Sequence, residues 1–177
     1  MRPVTVKSVI SAPREEIFDL IADLSHRVAW TDHYTDDHRL ARVHPVGLGA
    51  AIRFRVKPPL QPSVYVELSI VKADRPRRIV EEARVGRIGR TRLQAVYDLI
   101  DEGGSTRVEL TTWTEPGIRF DAFKESLGVR RWLRRNARTA LARLRMVFEE
   151  PPAAPLARVT IAGHEPAKNP RFGAAPR

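Results

Sequence analysis

The 177-residue chain contains no cysteine. That absence excludes a disulfide framework, thiolate zinc, cysteine-ligated iron–sulfur clusters and a cysteine nucleophile. No apolar run approaches the roughly 18–20 residues a membrane-spanning helix needs. The opening Met1-Arg2-Pro3-Val4-Thr5-Val6-Lys7 lacks the apolar stretch of a secretory signal. No Ser or Lys lies in a nucleophile signature. Gly47-Leu48-Gly49 and Gly86-Arg87-Ile88-Gly89 are turns rather than phosphate-cradling loops that open a helix, so no nucleotide cofactor is indicated. Lysine is also scarce, with 5 Lys against 26 Arg. A soluble protein is expected, placed in the cytoplasm.

What is present is the composition of a globular domain, 42% hydrophobic and 29% charged, in a chain long enough for a core of its own. The net charge of +10 is distributed unevenly. Residues 1–119 carry 19 basic against 16 acidic side chains, residues 120–150 carry 8 against 4, and residues 151–177 carry 4 against 1. Between Leu127 and Met146 there are seven Arg and no acid. The excess belongs to one segment and its tail, which argues against a protein that binds nucleic acid over its whole surface.

The chain opens with an alternating strand, Val4 to Ile10. The turn Ser11-Ala12-Pro13 follows, with Pro13 suited to a first helical turn and Glu15 and Glu16 near the positive helix end. Ile17, Leu20, Ile21 and Leu24 then recur at helical spacing, predicting a helix over 13–24. Ser25 to His38 is polar and aromatic, with one or two further helical turns at most. Period-two runs follow at 38–44, 50–57, 63–73, 77–85, 90–99 and 105–114, separated by Pro- and Gly-rich punctuation. From Asp121, a suitable N-cap, Phe123, Val129, Leu133, Ala137, Ala140, Leu141, Leu144, Val147 and Phe148 form one helical stripe, and Pro151-Pro152 stops the helix near 150. Residues 151–177, with 6 Pro, read as a poorly ordered tail in which Val159-Thr160-Ile161 could instead pair with a sheet edge or a partner. The pattern predicts an α+β fold: a curved antiparallel sheet wraps a long C-terminal helix, leaving a cavity between them.

Four stretches carry a resemblance. They are Val9-Ile10-Ser11-Ala12-Pro13-Arg14-Glu15-Glu16-Ile17-Phe18, Ala22-Asp23-Leu24 followed by Trp30, Pro76-Arg77-Arg78-Ile79-Val80, and Gly103-Gly104-Ser105-Thr106-Arg107-Val108. With their order along the chain they resemble the START-like (SRPBCC) superfamily with its helix-grip fold, and within it the polyketide cyclase/dehydrase-like group. The resemblance covers about residues 4–150 and rests on structural punctuation rather than on catalytic motifs. It implies an internal cavity for a lipid, polyketide or similar molecule, in members that either bind or transfer a ligand or catalyse a cyclisation, aromatisation or dehydration.

Alternation assigns the inner face to Ile52, Phe54 and Val56, to Val64, Val66, Leu68 and Ile70, to Leu93, Ala95 and Tyr97, and to Val108, Leu110 and Thr112. Strand 77–85 is ambiguous, because Ile79, Glu81, Ala83 and Val85 form one face and Arg78, Val80, Glu82 and Arg84 the other. If the first points inward, Glu81 is a carboxylate in an apolar cavity, suited to general acid–base work unless an Arg pairs with it. Tyr97 could orient a ligand carbonyl, move a proton or fill volume. Thr112 could bond ligand or backbone. By the resemblance, Trp30, His33 and Tyr34 lie near the cavity mouth as ligand contacts. Pairing His33 and His38 with Asp32 or Asp36 matches no zinc spacing, so no metal site is expected. Phe123 belongs to the helix stripe that faces the ligand. Arg130, at its margin, could clamp an acidic ligand group or snorkel outward. Arg131, Arg135 and Arg138 lie opposite the stripe, either solvated or against an anionic surface.

Three functions follow. The first is a carrier or sensor for a hydrophobic or amphipathic small molecule. The second is a cyclase, aromatase or dehydratase using Glu81 and Tyr97. The third is an interaction module docking its Arg-rich helix on RNA, ribosome, membrane or protein.

Overall fold

Side chains alternate between core and solvent along every long strand, so each strand has one apolar face to bury. β1 (Val4–Ile10) buries Val4, Val6 and Ile10; β3 (Ala51–Val56) buries Ile52, Phe54 and Val56; β4 (Val64–Asp74) buries Val66, Leu68 and Ile70. These faces join in a computed structural model that describes residues 2–59, 62–85, 91–115, 128–150 and 155–163. With β2 (Thr35–Leu40), β5 (Arg78–Val85), β6 (Thr91–Asp101) and β7 (Thr106–Glu115) they form one seven-stranded sheet in the order β1-β7-β6-β5-β4-β3-β2. Every neighbouring pair is antiparallel. The α+β architecture of the helix-grip type is therefore the observed one.

The helices close the concave face. α1 (Arg14–Ala22) starts after Pro13 with Glu15 and Glu16 in its first turn, and buries Ile17, Phe18, Ile21 and Ala22. A 3-10 turn, Leu24–His26, follows directly. The Asp23 carboxylate caps it, accepting from the Ser25 amide at 2.9 Å and from Ser25 Oγ at 2.6 Å. α2 (Val28–Thr31) is a single buried turn. α3 (Val129–Glu149) buries Val129, Ala137, Ala140, Leu141 and Leu144 and lies against β1 and α2. Gly128 precedes it at φ 105°, a left-handed conformation that favours glycine. The expected start of this helix at Asp121, and Phe123 with it, lie outside the described residues.

Two segments differ from the sequence reading. The strand expected at 38–44 runs instead from Thr35 to Leu40. Its pairing with β3 slips between Asp36 and Arg39, with Asp37 at φ 48°. That bulge lets Thr35 and His38, three residues apart, both face inward. Two buried polar side chains hid the strand, and they satisfy each other. Thr35 Oγ1 donates to the Thr31 carbonyl at 2.7 Å, so His38 Nε2–H donates to Thr35 Oγ1 at 2.9 Å. Within the stretch read as a tail, residues 155–163 lie against the body of the fold. Val159 is 2% exposed, its amide donates to the Ser25 carbonyl at 2.8 Å, and the Leu40 amide donates to the Thr160 carbonyl at 3.0 Å. The pairing considered for Val159-Thr160-Ile161 is thus found on the β2 side of the sheet.

Leu144 is fully buried where α3 meets the core. Leu144→Ala should cost about 2–5 kcal/mol of unfolding free energy. Denaturant unfolding checks this, and a loss below about 1 kcal/mol would mean that the helix is not packed as described.

Candidate functional site

The inward residues of the central strands and one face of α3 do not meet. They enclose a cavity of about 190 Å³. Phe54, Val56, Val66 and Leu68 line it from β3 and β4, and Ala83, Val85, Leu93, Ala95 and Leu110 from β5, β6 and β7. The helix contributes Val129, Trp132, Leu133, Ala137 and Ala140. The inner-face expectation holds, and β5 resolves in favour of Ile79, Glu81, Ala83 and Val85.

Glu81 and Tyr97 are the last lining residues of their strands at one end of the cavity, before fully buried Ile79 and nearly buried Leu99 close the core. Both are almost wholly buried, and both meet Arg27, delivered by the capped turn after α1. Arg27 Nη2 is hydrogen-bonded and ion-paired to Glu81 Oε1, and Nη1 donates to the Tyr97 hydroxyl at 2.8 Å. The guanidinium also lies 5.4 Å from the Trp30 ring centroid and 5.7 Å from that of Tyr97. Burial pushes the Tyr97 hydroxyl above its ordinary pKa of 10.0, against an opposing pull from Arg27. Tyr34 is raised for the same reason.

Arg27 and Glu81 are the charged members of the described lining. Thr112 Oγ1 is buried, belongs to a lining residue and has no hydrogen-bond partner among the described residues. The Arg27 Nε–H is likewise unpartnered.

The structure brings Glu81, Tyr97, Tyr34, Phe54, Val66, Leu68, Leu93, Leu110 and Thr112 together on the cavity wall. It places others elsewhere. Trp30 is 1% exposed beneath Arg27 and supports the wall rather than forming it. His33 lies behind it, donating from Nε2 to the Asn136 carbonyl at 3.3 Å, with its pKa lowered by burial and by Arg143. Arg130 is exposed in the first turn of α3 and is not on the wall, so the expected inner clamp is not there. In that first turn Val129 is buried, and Arg130 and Arg131 are both exposed. Among the described residues, no group of three His, Asp or Glu side chains converges as metal ligands.

The sequence reading missed Arg27, the residue that organises the polar end. Ser25-His26-Arg27 has no periodicity, and one Arg among 26 carries no mark. The available signal was Glu81 itself, since an inward carboxylate on an apolar strand requires a cationic partner.

Glu81→Leu leaves Arg27 buried without its counter-charge and should cost about 3–5 kcal/mol. The double variant Arg27→Met/Glu81→Leu should recover most of that loss. Denaturant unfolding of the three proteins checks this, and additive losses in the double variant would mean that the pair is not coupled.

Over residues 1–149 the chain matches the family described as polyketide cyclase / dehydrase and lipid transport. Among solved structures it is similar to TTHA0849 from Thermus thermophilus, with TM-score 0.63, 19% identity, and coverage of 81% of this chain and 94% of that one. It is similar to the KanY protein, with TM-score 0.67, 15% identity, and coverage of 83% and 97%. A third is DynU16 of the dynemicin biosynthetic locus, with TM-score 0.57, 16% identity, and coverage of 85% of this chain and 48% of that one. At these identities the likeness is one of fold. No curated protein matches. The match across residues 1–149, together with a curved seven-stranded sheet gripping a long C-terminal helix, makes this chain a member of the polyketide cyclase/dehydrase and lipid transport family of the SRPBCC superfamily.

Proposed function

We propose that the chain binds a hydrophobic or amphipathic small molecule between the sheet and α3, as a carrier or sensor. The observation that carries this reading is the unfilled apolar cavity. The side chains of the described wall leave about 190 Å³ open, and most of that wall is apolar. Replacing Ala83, Ala95, Ala137 or Ala140 by larger apolar side chains would fill it, yet the wall carries alanine at all four positions. A ligand that displaces water from this space and covers the same wall would stabilise the fold.

A cyclase- or dehydratase-type reaction in the same cavity is the second reading. It is supported by the family and by Tyr97, whose oxygen accepts from Arg27 and whose own proton is left for a ligand oxygen. The paired carboxylate of Glu81 holds Arg27 rather than standing free as a base.

For partners beyond the ligand, an anionic lipid surface fits the outer face of α3. Arg130, Arg131, Arg135 and Arg138 are exposed there and have no carboxylate partner among the described residues. No helix of the described residues is long and apolar enough to cross a membrane.

Ala83→Phe should weaken Nile red binding by about tenfold or more while leaving thermal stability equal or higher. Binding unchanged in a folded Ala83→Phe protein would place the dye outside the cavity and count against the proposal. For the helix face, co-sedimentation with phosphatidylserine-containing vesicles should exceed that with phosphatidylcholine vesicles. The difference should vanish at high salt and in Arg131→Gln/Arg135→Gln/Arg138→Gln, and equal binding to both vesicle types would remove the electrostatic contact.

A further inference from the structure

The polar end of the cavity is electrically complete. Arg27 and Glu81 are the charged groups on the described wall, they are nearly fully buried, and they are paired with each other. A ligand that brought a net charge to this end of the cavity would find no group left among the described residues to balance it. A carboxylate would sit beside Glu81 with its one counter-ion already committed, and an ammonium would sit beside Arg27 in the same position. Desolvating an ion without such compensation is strongly unfavourable.

Hydrogen-bonding capacity, in contrast, is left over, and much of it is of one kind. Tyr97 accepts from Arg27 Nη1 and retains its own proton, which burial keeps on the oxygen. Thr112 Oγ1, buried on β7 opposite Ala95 of β6, has no partner among the described residues. The Arg27 Nε–H has no acceptor. Buried donors without acceptors are costly. A ligand oxygen against the wall would take the Tyr97 proton, and a turn of the Thr112 side chain about χ1 would bring its hydroxyl to the same oxygen.

We infer that the cavity takes an uncharged ligand bearing a carbonyl-type oxygen, set against Tyr97 and Thr112, and that the Arg27–Glu81 pair excludes carboxylates and ammonium ions. This rests on the cavity reading given above and narrows it to a chemical class: ketones, esters or quinones on an apolar frame rather than ionised fatty acids or amines. The pair then acts as a selectivity device. It lends polarity to the wall through Tyr97 without lending it charge.

The test uses the full chain and a chain-length-matched series: methyl octyl ketone, decanoate and decylammonium, each competing with the uncharged dye Nile red near neutral pH. The ketone is expected to displace the dye at a concentration at least about tenfold below either ion. Displacement by decanoate or decylammonium at or below the ketone's concentration would overturn the inference while leaving the cavity reading intact. If Nile red and all three competitors fail to bind, the cavity reading falls and takes this inference with it. Glu81→Gln removes the negative partner and leaves the Arg27 cation in place, so decanoate should overtake the ketone in that variant. An unchanged preference in a Glu81→Gln protein shown to be folded by circular dichroism would overturn the role given to the pair. The wild-type series decides the matter if that variant does not fold.

Discussion

A guanidinium sealed among apolar side chains can be kept there only by an anion, and in this protein the anion is Glu81. Much of the architecture is arranged around that requirement. The chain leaves α1, turns at once through the 3-10 turn capped by Asp23, and so carries Arg27 over the sheet instead of into solvent. β5 places Glu81 on its inward face, between Ile79 and Ala83, where an aliphatic residue would otherwise stand. Trp30 packs under the guanidinium, and Tyr97 takes its second nitrogen. The pair also bears on why the cavity persists. Apolar side chains closing that end would leave the Tyr97 proton without an acceptor, whereas a ligand or water can supply one.

Much of this fold was legible because antiparallel strands with one wet face spell out their orientation residue by residue. Phe54, Val66, Leu68, Leu93, Leu110 and Thr112 fell on the wall from alternation alone. Alternation failed where both faces carried similar chemistry. On β5, Glu81 and Glu82 are adjacent, and only the pairing of Glu81 with Ala95 and of Ile79 with Tyr97 shows which one shares the inner face. It failed again at β2, where Thr35 and His38 are inward polar groups brought to one face by a bulge that no period describes. Helical projection put Arg130 on the stripe of Ala137 and Leu141, but a projection gives direction only and does not show that the first turn of α3 leaves that side exposed. Arg27 was out of reach for a different reason. Its role comes from a contact across 54 positions of sequence, and its own neighbourhood contains no trace of the partner.

The division between fold and chemistry is therefore sharp in this chain. The sheet, the helix and most of the wall are what membership of the family implies, and many apolar molecules could share such a space. The groups that can tell one ligand from another are a few polar side chains at one end of the cavity. They leave its electrostatic sum at zero while withholding several hydrogen bonds.

The segment from Pro155 to Gly163 has a consequence for the molecule among its neighbours. β2 is the last strand of the sheet, and a terminal strand offers its unpaired amides and carbonyls to any extended chain that drifts past. Here the Leu40 amide is already taken by the Thr160 carbonyl, and Val159 is tucked beside Ser25. A stretch whose composition suggests little structure thus occupies part of the place where a second molecule would begin to stack. The protein covers part of its own sheet margin with residues that lie outside both the sheet and the cavity.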